Sequence, residues 1–282
     1  MNVPLDLPAS APRNVLVVIP AFNEAETIAE VAHSALAHAA RVLIVDDGST
    51  DGTADILAEL PVHVLSHPRN RGKSASLCDG FAWAIAAAAD ATHVLTMDAD
   101  GQHRAADIPR LLRAAEAYPH ALIIGARVRR TRGAPRVRHL ANRVADFLIS
   151  WACGHRLSDS QSGQRAYPMS LLREIDLAQI AHDGFTLESE VIIEAARLGY
   201  QTVSVPIDAV YGTSSRASHF KPVRHSLAIG AMVARRLARE RFALRRLWVA
   251  IRQRGVTFDE LRVDATMAPR KGAALAGRHG AD

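Results

Sequence analysis

This 282-residue sequence predicts an α/β protein with a mostly parallel central sheet and helices on both faces. Three observations carry that expectation. Short runs of Val, Ile and Leu alternate with Ala-rich segments of helical character, the runs lack polar alternates, and acidic clusters follow several of them. Continuously apolar strands are buried on both faces, as in parallel sheets. Such sheets bind ligands at the C-terminal strand ends.

Residues 15–19 (Val-Leu-Val-Val-Ile) read as the first strand and 25–40 as its helix. A second strand over 42–45 precedes a helix over 53–60, and a third over 62–65 precedes one over 73–89. Strands over 93–97 and 122–124 flank a helix over 107–117. The second half is less regular: helices over 142–153 and 185–198, a strand over 201–205, and a loop marked by Gly133 and Pro135. Further on, Ile229, Val233, Leu237, Leu244, Trp248 and Ile251 line one helical face, within residues 216–254 that carry 11 basic residues and one acid, Glu240. The Ala/Gly/Arg-rich tail from Met267 reads as disordered.

Composition removes several classes. Apolar residues make up 49% of the chain, enough for a sizeable core. No uncharged stretch exceeds ten residues, whereas a membrane-spanning helix needs about 20 apolar ones. Residues 1–13 lack the apolar block of a signal peptide, and Cys78 and Cys153 make no disulfide framework. A cytoplasmic protein is expected. The net charge of +5 hides an asymmetry: residues 1–126 hold 8 Lys/Arg against 15 Asp/Glu, and 127–282 hold 26 against 14. An acidic half suits a cation and a basic half suits anions. Nucleic acid is not the expected anion, because aromatic interleaving and nucleic-acid motifs are lacking.

The strand ends hold the chemistry. The first ends in Pro20-Ala21-Phe22-Asn23-Glu24, the second in Asp46-Asp47-Gly48-Ser49-Thr50-Asp51, the fourth in Asp98-Ala99-Asp100-Gly101-Gln102-His103. Taken singly, Asp47-Gly48 is a turn, Asp98 and Asp100 cap a helix, and Asn70-Arg71-Gly72-Lys73 is a loop before a helix. Their shared position defeats those readings. Carboxylates converging on one crevice repel unless a cation or donors fill it, and two aspartates one residue apart can offer oxygens to Mg2+ or Mn2+, whose shell substrate phosphate completes.

The series V-V-I-P-A-F-N-E (17–24), V-D-D-G-S-T-D-G-T (45–53), N-R-G-K (70–73) and M-D-A-D-G-Q-H (97–103) resembles a family-2 inverting glycosyltransferase of the GT-A fold. Further on, G-A-R (125–127), D-S-Q-S-G-Q-R-A-Y (159–167), F-T-L-E-S-E (185–190) and S-H-F-K-P-V-R (218–224) are similar to the dolichyl-phosphate mannose synthase branch. The resemblance implies a domain over 14–225, with a nucleotide-sugar half (14–126) and an acceptor half (127–225). Residues 1–13 would be a flexible N-terminus, 226–264 a basic amphipathic helical extension and 265–282 a tail. It implies that Pro20, Ala21, Asn23, Glu24 and Asp47 line base and ribose, and that Asp98 and Asp100 form the metal-holding D-x-D pair. Gln102 and Lys73 would serve the metal or diphosphate, and Arg216, His219 and Lys221 would close over the diphosphate. Arg127, Arg138 and Ser162 would meet an acceptor phosphate, while Asp159 and Arg165 would sit by the reacting sugar carbon with Ser162.

The implied reaction moves a hexose from a nucleotide-diphosphate sugar to a polyprenyl phosphate with Mg2+ or Mn2+. A hydroxyl acceptor would make Asp159 a base; a catalytically silent nucleotide-sugar-binding protein is the alternative from another class. Arg235, Arg236, Arg239, Arg241, Arg245 and Arg246 form either a solvated face or an attachment to anionic lipid. The second fits a lipid-phosphate acceptor and places the protein peripherally on the inner membrane face.

Overall fold

A computed structural model describes residues 14–127, 136–180, 187–208, 222–239, 244–252 and 255–258. Residues 1–13 and the 265–282 tail lie outside them. The β-branched runs do form strands: β1 (Val15–Ala21), β2 (Arg41–Asp46), β3 (His63–Ser66), β4 (His93–Thr96) and β5 (Ala121–Arg127), joined by β6 (Arg165–Pro168), β7 (Gln201–Ile207) and β8 (Val256–Thr257). One eight-stranded sheet results, in the order β3-β2-β1-β4-β6-β5-β7-β8. Every pairing is parallel except those of β6, which runs antiparallel to both β4 and β5. β4 and β5 therefore point the same way, and their C-terminal ends share one edge with those of β1 and β2.

The helices are α1 (Ile28–Leu36), α2 (Thr53–Ala58), α3 (Lys73–Ala87), α4 (Ile108–Ala117), α5 (Arg136–Cys153), α6 (Met169–Glu174), α7 (Leu177–Ile180), α8 (Leu187–Arg197), α9 (Pro222–Arg239) and α10 (Leu244–Arg252), with a single 3-10 turn at Ala105–Asp107. Strand alternation divides the apolar residues between two layers. Leu16, Val18, Leu43 and Val45 face α3, α5, α8 and α9 through Phe81, Ile149, Val191 and Val233. Val15, Val17, Ile19 and Ile44 face α1 and α4 through Val31, Leu36, Leu111 and Ala115. Close approach is built in at Gly80 on α3, where a Cβ would lie 2.7 Å from Val18 Cγ1.

Several expectations change. β6 went unseen: it has four residues, one of them an arginine. The helix expected over 25–40 is Ile28–Leu36, and the one over 142–153 begins at Arg136. The basic segment is not an appendage. Both α9 and α10 pack on α5, and β8 joins the sheet beside β7. Its expected single apolar face is split. Ile229, Val233 and Leu237 are buried, but Leu244, Trp248 and Ile251 are exposed. Among the described residues no helix is long and apolar enough to cross a membrane.

Candidate active site

The loops after β1 and β2 are zipped together. Asn23, in the left-handed region at φ 57°, donates its N–H to Ser49 Oγ (2.9 Å), and its Oδ1 accepts from Thr50 N (2.7 Å). Glu24 N–H donates to Thr53 Oγ1 (2.9 Å). Pro20 is half-buried and Ala21 buried just before them. Asp47, expected to accept hydrogen bonds from base or ribose, already accepts several within the protein. It is buried, and its carboxylate accepts from His67 Nδ1 (2.7 Å), Arg71 N (2.8 Å) and Gly72 N (2.7 Å). Asp47 thus holds the 67–72 loop against β2. Gly48 allows this, since its φ is +73° and a Cβ there would lie 2.6 Å from the Arg69 backbone.

Residue 73, the first of α3, lies across the crevice from β4. Lys73 Nζ is 2.6 Å from Asp98 Oδ1 and 3.4 Å from Glu188 Oε1, on the first turn of α8. Burial works against the Lys73 ammonium, yet Asp98 and Glu188 outweigh it and its pKa is raised. Burial likewise opposes ionisation of Asp98, but Lys73 and then His103 hold its carboxyl well below the usual range. His103 Nδ1 accepts the Asp98 N–H (3.1 Å) and lies 3.7 Å from Asp98 Oδ2. Gly163 closes the far side, because a Cβ there would meet both Asp98 oxygens at 2.6 and 2.7 Å.

Asp100 differs from Asp98. Burial, and then the Asp98 charge, push its carboxyl upward. Its Oδ1 accepts the backbone N–H of half-buried Gln102 (3.0 Å). An acid beside another acid, short of compensating charge, fits a divalent cation. No cluster of three or more His, Cys, Asp or Glu suited to a metal occurs among the described residues. Asp98 and Asp100 are the residues here that could offer carboxylate oxygens to such a cation.

Past β5, Asp159 sits at φ 53° and receives three N–H groups from Arg127: N (2.9 Å) and Nε (2.6 Å) on Oδ2, and Nη2 (2.7 Å) on Oδ1. The Arg127 charge also contributes to lowering Asp98, so the pair lies within electrostatic reach of that carboxylate. Arg165 feels the Asp159 charge as well, although its hydrogen bonds go elsewhere. It is 1% exposed, and its guanidinium donates to the carbonyls of Ser160 (2.8 Å), Ser162 (2.7 Å) and Glu188 (2.6 Å). Its place is structural, tying the 160–163 loop to α8. Ser162 is also fully buried. Arg138 lies on α5 with its side chain outside the described residues, as are Arg216, His219 and Lys221 altogether.

Sequence reasoning gave no role to Glu188 or His103. His103 stood within the quoted M-D-A-D-G-Q-H run. Glu188 stood within the quoted F-T-L-E-S-E run, but its contact with Lys73 depends on the placement of α8 across the crevice from α3.

A mostly parallel sheet with an acidic pair after β4, a lysine facing that pair and an Arg–Asp pair past β5 agrees with the GT-A glycosyltransferase fold. The chain belongs to glycosyl transferase family 2, whose model matches residues 16–176. It is 36% identical over 212 residues to the undecaprenyl-phosphate mannosyltransferase of Micrococcus luteus, covering 70% of this chain and 83% of that one. It is 31% identical over 207 residues to the polyprenol monophosphomannose synthase of Mycolicibacterium smegmatis, covering 69% and 77%. Among solved structures, mannosyl-3-phosphoglycerate synthase from Rubrobacter xylanophilus superposes with a TM-score of 0.63 at 22% identity, over 82% of this chain and 76% of that one. Glucosyl-3-phosphoglycerate synthase from Mycobacterium tuberculosis, in complex with Mn2+, UDP and glucosyl-3-phosphoglycerate, superposes at 0.58 and 22% identity over 80% of each chain.

Proposed function

We propose that this enzyme transfers a hexose, with inversion, from a nucleotide-diphosphate sugar to a polyprenyl phosphate. The reaction depends on Mg2+ or Mn2+ and takes place peripherally on the cytoplasmic membrane face. The observation that carries this reading is the Asp98–Lys73 pair beside Asp100, whose carboxyl burial and Asp98 push upward, with the Arg127–Asp159 pair nearby. The polyprenyl-phosphate relatives support the acceptor and put mannose first among the sugars to test.

Asn23, Glu24, Pro20 and Ala21 shape the nucleoside end, with Asp47 acting behind them through the 67–72 loop. Asp98 and Asp100 would hold the cation, which neutralises diphosphate charge when bound. Lys73 orients Asp98 and adds positive charge where the leaving group gains negative charge. Arg216, His219 and Lys221 are assigned to closure over the diphosphate, and Arg138 to the acceptor phosphate.

A polyprenyl phosphate already carries an anionic nucleophilic oxygen, so proton removal is not required of the protein. That agrees with Asp159, whose oxygens already accept three N–H bonds from Arg127. Such a carboxylate is better placed to fix Arg127 than to abstract a proton. The Arg127–Asp159 unit then orients the acceptor phosphate behind the anomeric carbon, opposite the departing diphosphate.

The test is incubation of the purified protein with a panel of nucleotide-diphosphate hexoses, with and without polyprenyl phosphate and Mn2+. A glycosylated polyprenyl phosphate formed only when all three are present is expected. Equal turnover with a polyprenol lacking phosphate would overturn the acceptor assignment.

A further inference from the structure

α9 and α10 have similar compositions and opposite orientations. α9 turns Ile229, Met232, Val233 and Leu237 inward. α10 instead buries Ala250 and presents its large apolar side chains to the outside: Leu244 is 69% exposed, Trp248 56% and Ile251 59%. Positions 244, 248 and 251 are four and three residues apart, so they form one row along the helix. On α5, against which α10 packs, Val144 and Phe147 are exposed as well. A soluble surface rarely leaves such a row uncovered without a partner for it.

The surrounding charge identifies the partner. Arg245 and Arg252 are exposed beside the row, and the Arg252 guanidinium lies 4.8 Å over the Trp248 ring. Arg246 pins the helix in this orientation. It donates from Nη1 to Ala152 O (3.2 Å), and its stem packs so closely on Gly154 that a Cβ there would lie 3.0 Å from Arg246 Cγ. Neither α9 nor α10 contains an acidic residue. An apolar row flanked by Arg245 and Arg252, on a helix without acidic residues, complements an anionic lipid surface, and tryptophan favours the depth where headgroups meet acyl chains. Length fixes the mode. Nine residues reach about 14 Å, under half of a hydrocarbon core of about 30 Å, so the helix can lie in the interface but not span it.

We propose that α10 is an in-plane membrane anchor: Leu244, Trp248 and Ile251 enter the headgroup–acyl boundary of an anionic bilayer, with Arg245 and Arg252 at phosphate level. This deepens the proposed function, resting on its membrane-bound acceptor, and replaces a purely electrostatic attachment with an apolar one. The anchor holds the edge of the α5–α10 layer against the leaflet that would supply the acceptor.

The experiment is flotation of the full chain with vesicles of phosphatidylglycerol and phosphatidylcholine, alongside tryptophan emission. Wild type should float, with emission shifted to the blue and quenched by brominated lipid. Trp248→Phe should still float but lose most of that spectral change, since Trp83 and Trp151 remain as internal references. Leu244→Ser/Ile251→Ser should bind at least about tenfold more weakly, because buried apolar area is removed. Its melting temperature should be unchanged, because these side chains are exposed. Raising NaCl to about 0.5 M should weaken wild-type binding without abolishing it, since salt screens only the arginine contribution.

Complete release by salt with no emission change would overturn insertion in favour of surface electrostatics. Wild-type flotation by the double variant would overturn the assignment to this row. A wild-type dimer that the double variant dissolves, with no vesicle binding by either, would assign the row to a second copy. Transfer to polyprenyl phosphate in detergent micelles should be equal in wild type and double variant. If both lack it while wild type still floats, the functional proposal fails and the anchor stands.

Discussion

Alanine at Gly163 tests the crevice with the least disturbance to the fold. The φ of Gly163 is not positive, so alanine introduces no backbone strain. Its Cβ would arrive 2.6 and 2.7 Å from the Asp98 oxygens and 2.9 Å from Cγ, where ordinary contact begins at 3.4 Å. The carboxylate must therefore retreat by about 0.7 Å, or the 159–163 loop must yield. Retreat disturbs the 2.6 Å contact with Lys73 and moves the acid thought to face the donor. Misplacing a positioned group by about 1 Å costs on the order of a hundredfold in rate. Gly163→Ala should thus lower kcat/KM for the donor about 10- to 100-fold, or about 1.4 to 2.7 kcal/mol. Stability should fall by no more than about 1 kcal/mol, because the clashing atoms end a side chain and Thr96 can keep its 2.8 Å bond to Gly163 O. Steady-state turnover of the nucleotide sugar and a thermal melt are measured together. A folded variant with wild-type turnover would refute the reasoning that Asp98 must stand where it does.

Asp100→Asn should raise the melting temperature of the metal-free protein at pH 7, because burial and Asp98 raise the Asp100 pKa. The sign follows from linkage: the penalty of the charged form is fully present above the folded pKa and fades as pH falls through it toward the unfolded value near 3.9. Added Mn2+ should stabilise wild type and not the variant; equal stabilisation of both removes the cation assignment. Arg165→Met should destabilise by at least about 3 kcal/mol in denaturant titration, since three buried carbonyls lose their donor; a loss below about 1 kcal/mol contradicts its structural role. Arg127→Ala and Asp159→Asn should be non-additive, with the double variant no slower than the worse single one, because each breaks the same pair. Additive losses would mean that the two residues act separately.

The strands around the site were legible because burial on both faces leaves its mark on sequence. In β1 and β2, hardly a residue is polar between Val15 and Val45 on the strands themselves. The acidic clusters were legible as strand-end loops for the same reason. What each carboxylate touches was not legible. Asp47 and Asp98 both follow a strand, yet one is spent on backbone N–H groups and the other on Lys73. The resemblance set Arg165 by the reacting carbon, and nothing in the sequence showed the three carbonyls that converge on its buried guanidinium. The α10 row has the same 3.6-residue period as a core-facing helix, and periodicity does not say which side the core lies on. Glu188 reaches Lys73 from 115 positions along the chain, beyond any local pattern.

β6 has a consequence for how the molecule is made. Because it lies between β4 and β5, the two proposed halves are interlocked and do not form consecutive modules. While the ribosome is still synthesising residues before 165, β4 has β1 on one side and an open edge on the other. An open strand edge is a template for pairing with other chains, and it persists here for the time needed to make about 70 more residues. The loop carrying Asp98 and Asp100 leaves directly from that strand, and Gly163, which walls in Asp98, arrives only with β6. A fragment ending at residue 127 contains Asp47, Lys73, Asp98 and Asp100 and still lacks the wall of its own crevice. Such a fragment should associate through β4, and the donor pocket matures only when the chain returns.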